Sequence, residues 1–160
     1  MDKDIIPPGD SAGIEVVFNT FRYEGPIVKH PLIITNAEPV DGDFYLEISS
    51  HVLFFPDSAY PLVISPFRLD LSDLNNPLTD SLVFEIKNVS PLWVHLEIVE
   101  FPQELVALSL PAFIRPGRSA GGVVRLTESG VGQVFEKSMT IELRDENHTR
   151  YTIPLKRTLL

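Results

Sequence analysis

The sequence predicts an all-β fold built from antiparallel β-sandwich units, the N-terminal one incomplete. Three observations carry that prediction. Short stretches alternate apolar and polar residues with period two, as a half-buried strand requires. Fourteen prolines and nine glycines break those stretches into pieces too short for long helices. And one stretch occurs twice: residues 6–20 read I-P-P-G-D-S-A-G-I-E-V-V-F-N-T, and residues 113–127 read F-I-R-P-G-R-S-A-G-G-V-V-R-L-T. At a constant offset of 108 residues, Pro8, Gly9, Ser11, Ala12, Gly13 and Val16 recur as Pro116, Gly117, Ser119, Ala120, Gly121 and Val124, and Lys29 recurs as Lys137.

Proline presets φ and glycine tolerates a positive φ, so each Pro-Gly predicts a tight turn, entered from Ile6 or Ile114. In the first copy, residues 13–20 read as a strand with Ile14, Val16 and Phe18 on one face. A turn over 20–26 contains Gly25, and 27–35 is a second strand holding Leu32 and Ile34. Asp41-Gly42 suits a hairpin turn into 43–49, with Phe44, Leu46 and Ile48 inward. Residues 52–60, with Pro56, Asp57 and Ser58, read as a linker, giving domains 1–57 and 58–160.

The second unit opens on 61–71, with Leu62 and Ile64, then Leu69 and Leu71, on either side of Pro66. A polar loop follows to residue 79. Strands are expected at 82–88, with Leu82, Phe84 and Ile86 inward, and at 92–100, with Leu92, Val94, Leu96 and Ile98 inward; Asn88-Val89-Ser90-Pro91 forms the corner between them. More follow at 105–108, 122–127, 134–143 and 149–156, the last two joined by the turn at 145–148. About seven strands in about a hundred residues is the size of an immunoglobulin-like sandwich. The second Pro-Gly turn has some fifty residues of such sequence before it and the first has almost none. The first unit is therefore expected to be a C-terminal half, either a piece of a longer protein or a half completed by another chain; the first is the reading adopted.

The motifs resemble a known family. Phe84-Glu85-Ile86-Lys87-Asn88-Val89-Ser90-x-Leu92, followed by Ile114-x-Pro116-Gly117-x-Ser119-Ala120, resembles immunoglobulin-like domains of the PapD, major-sperm-protein and hydin type, and more narrowly the bacterial domain-of-unknown-function family 1573. In the first copy the resemblance rests on residues 8–11, 18–20, Gly25, Lys29 and 34–36. It implies a bacterial, exported, periplasmic or extracellular protein that binds or scaffolds. The family often carries a cysteine pair before the Pro-Gly turn; this chain has Pro-Gln-Glu at 102–104 and no cysteine, so a redox or metal role tied to that pair does not carry over.

Composition narrows the function. A net charge of −9 with scattered Lys and Arg argues against nucleic acid, and no apolar run is long enough for a membrane span. Absence of cysteine excludes thiolate metal sites, disulfides and cysteine nucleophiles. His30, His51, His95 and His148 have no metal-ligand spacing, and the Asp70-x-Ser72-Asp73-x-Asn75 run lacks the glycine and distal glutamate of a calcium loop. Ser119 lies before a strand, not in a nucleophile elbow. No catalytic residue, metal ligand or cofactor is expected. The sequon-like Asn88-Val89-Ser90 reads as a structural corner. Trp93, Phe54 and Phe55 are the candidate contact residues, packing between the two units (for Trp93, under a loop or between the units) or anchoring a partner. The function expected is a structural or protein-binding module offering sheet edges or loops to a protein partner or neighbouring domain, strand-exchanged homo-oligomers included. The alternative is a carbohydrate-binding sandwich, for which Phe21, Tyr23, Phe44 and Tyr45 are the available aromatics.

Overall fold

A computed structural model describes residues 3, 5–14, 16–35, 44–53, 59–72 and 80–159. The chain divides into two compact units, Met1–Leu53 and Phe54–Leu160. The linker residues Pro56, Asp57 and Ser58, the contact candidates Phe54 and Phe55, and the Asp41-Gly42 turn lie outside the described residues.

In the first unit, β1 (Gly25–Lys29) pairs antiparallel with β4 (Ile48–Val52), and β2 (Leu32–Ile33) with β3 (Phe44–Tyr45). The Leu46 N–H donates to the Pro31 carbonyl at 3.0 Å and makes the two pairs one hairpin. The expected strand at 13–20 is absent: its described residues lie in no strand, and Ile14, Val16 and Val17 are exposed. Phe44 and Leu46, expected inward, are exposed as well. Alternation favours an extended conformation but does not specify which strand lies alongside it, and a strand forms only where the two are brought into register.

The second unit is a two-layer sandwich. One sheet runs β5 (Leu62–Ser65), β7 (Ser81–Asn88), β11 (Ser119–Leu126), β9 (Val106–Ser109). The other runs β10 (Phe113–Ile114), β8 (Val94–Glu100), β12 (Phe135–Leu143), β13 (Arg150–Arg157), β6 (Leu69–Asp70). Between them lie Leu62, Ile64, Phe84, Ile86, Val106 and Val124 from the first sheet and Leu69, Met139, Ile141, Ile153 and Leu155 from the second, all buried. This is the alternation the sequence displays, one face of each strand turned into the core.

Four details depart from it. The chain changes sheets at Pro66, and β6 runs parallel to β13, with Leu69 opposite Leu155; every strand pair had been expected antiparallel. Proline has no N–H to extend the β5 ladder, so the pairing ends there and the chain moves to the other layer. Leu92 is 72% exposed, not inward: it lies in the bend after Asn88, where its carbonyl accepts from Asn88 Nδ2 at 2.7 Å, and β8 starts two residues later. Ile98 is also exposed, beside an irregularity in the register that pairs Thr140 with Glu100 but Ile141 with Ile98. A single helical turn, α1 (Glu128–Val131), was not foreseen; the Thr127 hydroxyl caps it by accepting from the Gly130 N–H at 3.0 Å.

Candidate functional site

Both Pro-Gly corners have the geometry their composition demands. Asp10 N–H donates to the Pro7 carbonyl at 3.0 Å and Arg118 N–H to the Arg115 carbonyl at 3.1 Å; Gly9 has φ +83° and Gly117 φ +67°. Proline second and positive-φ glycine third make each a type II turn. Each is satisfied by its own backbone. After the second turn the chain enters β11, between β7 and β9; after the first, the described residues up to Glu24 lie in no strand.

The hairpins that follow also correspond. In the first unit Lys29 faces Ile48 and Ile33 faces Phe44; in the second Lys137 faces Leu155 and Ile141 faces Tyr151, so at the offset of 108 the return strand of the first hairpin is one residue out of step. Met139, Ile141, Tyr151, Ile153 and Leu155 are buried in the sandwich, whereas no described residue of Met1–Leu53 is buried. In the second unit β8 lies against β12 and the β7–β11 layer covers the hairpin; among the described residues β1 pairs only with β4, and β2 only with β3. The first unit therefore presents an apolar hairpin face, Phe44 and Leu46 among its exposed members.

Trp93 is a second surface. It is 50% exposed, with its ring 5.5 Å from that of Phe113 and the Arg115 guanidinium 5.2 Å from its centroid. The His95 ring lies 6.0 Å from that of Phe113. Phe113 and Arg115 sit at the short edge strand β10, a grouping that sequence spacing could not reveal because β10 and β8 are brought together only by the register Phe113 opposite His95. Phe21, Tyr23, Phe44 and Tyr45 make no flat platform: Tyr23 packs tilted at 45° on Phe18 beneath Lys29 Nζ, and Phe44 and Tyr45 are neighbours on one strand, so they point to opposite faces.

Ionisable groups serve structure. Glu142 accepts from Arg150 Nε at 2.7 Å and lies 2.9 Å from His148 Nδ1, which holds its carboxyl below the usual range, Arg150 contributing most. The buried Arg157 donates to the carbonyls of Leu71 and Val131, fastening the end of β6 and α1 to β13. Asp70 Oδ1 accepts from the Ser72 N–H at 3.0 Å, a local turn. Among the described residues no group of three or more His, Cys, Asp or Glu is gathered as a metal site would need. An open depression of about 400 Å³ on the outer face of β5, β7 and β11 has Ser65, Val83, Glu85, Ser119 and Gly121 along it, with Glu85 its one ionisable side chain. Among the described residues no helix is long and apolar enough to cross a membrane.

Fold and surfaces together define an all-β sandwich whose chemistry lies in edges and exposed apolar faces. No family profile matches the chain, and neither does any curated protein. Among solved structures it is similar to the CsuC–CsuE chaperone and tip-adhesion subunit pre-assembly complex of the archaic Csu pili of Acinetobacter baumannii, at 15% identity and TM-score 0.41, over 60% of this chain and 55% of that one. It is likewise similar to a protein of unknown function from Porphyromonas gingivalis W83, at 14% identity and TM-score 0.45, over 62% of this chain and 48% of that one. The chain spans about half the length of these structures.

Proposed function

We propose that the chain is a non-catalytic protein-binding module made of two copies of one immunoglobulin-like unit, the first a C-terminal half, in a bacterial protein exported to the periplasm or cell surface. The compartment and the kinship with family 1573 rest on the motif resemblance. One observation carries the binding reading: the 25–52 hairpin leaves Phe44 and Leu46 exposed, whereas the 135–157 hairpin of the second unit buries Met139, Ile141, Ile153 and Leu155. An exposed apolar face on a short hairpin is a surface that an added strand can cover.

The edges of the second unit suit that role less. Pro61 and Pro66 flank β5, Pro102 and Pro111 flank β9, and Pro111 and Pro116 flank β10. Each proline removes an N–H, so an added strand finds only two to four consecutive residues to pair with there. Trp93 with Phe113 is proposed as a separate side-chain contact.

The test is peptide display against the purified chain, repeated on a Leu46→Glu variant. Enriched peptides with period-two apolar patterns that no longer bind the variant support the reading. No enrichment, or binding indifferent to Leu46, sinks it.

A further inference from the structure

We infer that the exposed Trp93, Phe113 and Arg115 take up a segment of another protein that carries an aspartate or glutamate two residues from an aromatic or aliphatic side chain, the carboxylate accepting from the Arg115 guanidinium. This rests on the protein-binding reading and adds the chemistry of the partner at a surface of the second unit. Trp93 precedes β8 and Phe113 opens β10, and one buried amide holds both: Asn88 Nδ2 donates to the carbonyls of Leu92, at 2.7 Å, and Ile114, at 3.0 Å, the residues before Trp93 and between Phe113 and Arg115. The turn over 115–118 fixes the third position, through the Arg118 N–H on the Arg115 carbonyl. Their neighbours Val94 and Ile114 are buried in the core, so the three side chains are presented outward from anchored backbone. Little ordering entropy is then lost when a partner docks.

Charge selects the partner. Residues 88–95 and 109–122, which build the surface, hold Arg115 and Arg118 and no aspartate or glutamate, in a chain of net charge −9. Among the described residues Arg144 is taken by Glu97 and Arg150 by Glu142, whereas Arg115 lies against the Trp93 ring and has no carboxylate partner. Stacking uses the flat face of a guanidinium and leaves its edge N–H groups for a bidentate acceptor. The net negative charge does not repel an acidic segment here, because physiological salt screens fields over about 8 Å and the local arginines dominate. The apolar half follows from the rings. Trp93 and Phe113 lie 5.5 Å apart and are tilted at 52°, a wedge that fits a side chain and not a platform on which a sugar ring stacks. Arg115 is 5.2 Å from the Trp93 centroid, and residues i and i+2 of an extended chain, about 7 Å apart on one face, reach from the guanidinium to the ring pair.

The test is selection of a random linear peptide library on the 160-residue protein, sorted by loss of binding to Trp93→Ala, a substitution at an exposed position. Peptides that depend on Trp93 are expected to carry Asp or Glu two residues from an aromatic or aliphatic residue. Replacing that acid by its amide is expected to weaken binding to the parent about tenfold in fluorescence anisotropy, and to leave binding to Arg115→Ala unchanged. The amide comparison on the parent protein does not depend on how well a variant folds. Trp93-dependent peptides that lack the acid, or an amide effect that persists in Arg115→Ala, overturns the inference. So does the absence of Trp93-dependent peptides: if Leu46-dependent peptides are still enriched the protein-binding reading stands without it, and if none is enriched both fall. Trp93-dependent binding on a glycan array in place of peptides overturns it in favour of a carbohydrate surface, and a Trp93-dependent dimer in sedimentation overturns it in favour of a second copy.

Discussion

Asn88 Nδ2 donates to the Ile114 carbonyl at 3.0 Å, so one fully buried amide ties the end of β7 to β10 in the opposing sheet. The same amide donates to the Leu92 carbonyl, and its oxygen accepts from the Ser90 N–H and hydroxyl. With both amide hydrogens engaged and the residue buried, the Asn-Val-Ser tripeptide is a corner and not a glycan acceptor. Asn88→Ala leaves two backbone carbonyls without that donor and is expected to destabilise the second unit by about 3 kcal/mol. Urea unfolding followed by Trp93 fluorescence measures it; a loss under about 1 kcal/mol would show that water replaces the amide.

Gly122 and Phe84 make a matched pair in the core. Gly122→Ala forces the buried ring aside and is expected to cost about 1–3 kcal/mol, as overpacking does. Phe84→Leu in the same chain shortens the opposing side chain, and the double variant is expected to be more stable than the sum of the single losses implies. Additive losses in a urea double-mutant cycle would mean the ring does not mediate the cost.

The two positive-φ glycines separate turn strain from packing, since a Cβ at either Gly9 or Gly117 meets nothing within 4 Å. Gly117→Ala is expected to cost roughly 1 kcal/mol through backbone conformation alone. Gly9→Ala, in the other compact unit, is expected to leave the thermal midpoint of the second unit unchanged. A shift on Gly9→Ala comparable to that of Gly117→Ala would tie the first turn to the stability of the sandwich.

Why some of this was legible and some not follows from what alternation encodes. It specifies which face of a strand is apolar, and so Leu62, Ile64, Phe84, Ile86, Val94 and Leu96 are found inward. It does not specify the neighbour. The parallel partner of Leu69 and the placing of Phe113 beside His95 are properties of the assembled sheets. Residues 13–20 show the converse: their pattern is that of a strand, yet their described residues lie in none. Leu92 was misread because the alternation ran unbroken through a bend that the side chain of Asn88 imposes.

Acid and base act on the second unit at nameable groups. The Glu142 carboxyl, held low first by Arg150 and then by His148, protonates later in the fold than in the unfolded chain. Its stabilisation is therefore complete above the ordinary value of 4.5 and lost as pH falls through the lower folded value. Asp145, held low by the Thr149 hydroxyl and N–H, has the same sign. Burial pushes the Tyr151 phenol up to about 12, so its contribution is complete below the ordinary value of 10.0 and lost as pH rises through the folded value. Glu142→Gln is expected to be less stable than the parent at neutral pH, with the gap closing below pH 4.5; a gap constant with pH would assign the loss to packing.

Trp93 is the only tryptophan, and its two neighbours make its role separable from stability. Half its surface is already in water, so Trp93→Ala forfeits the ring contact with Phe113 and the Arg115 cation–π contact, each worth about 1 kcal/mol. A total loss below about 2 kcal/mol is expected in urea unfolding followed by circular dichroism. Arg115→Ala uncovers the ring without disturbing the core, and its emission is expected to shift to longer wavelength. If Trp93 is a contact residue, a bound partner must exclude water from it and move the emission the other way, an effect that Phe113→Ala weakens. A partner that binds tightly and leaves this emission where it was would remove Trp93 from the interface, whatever the hairpin of the first unit does.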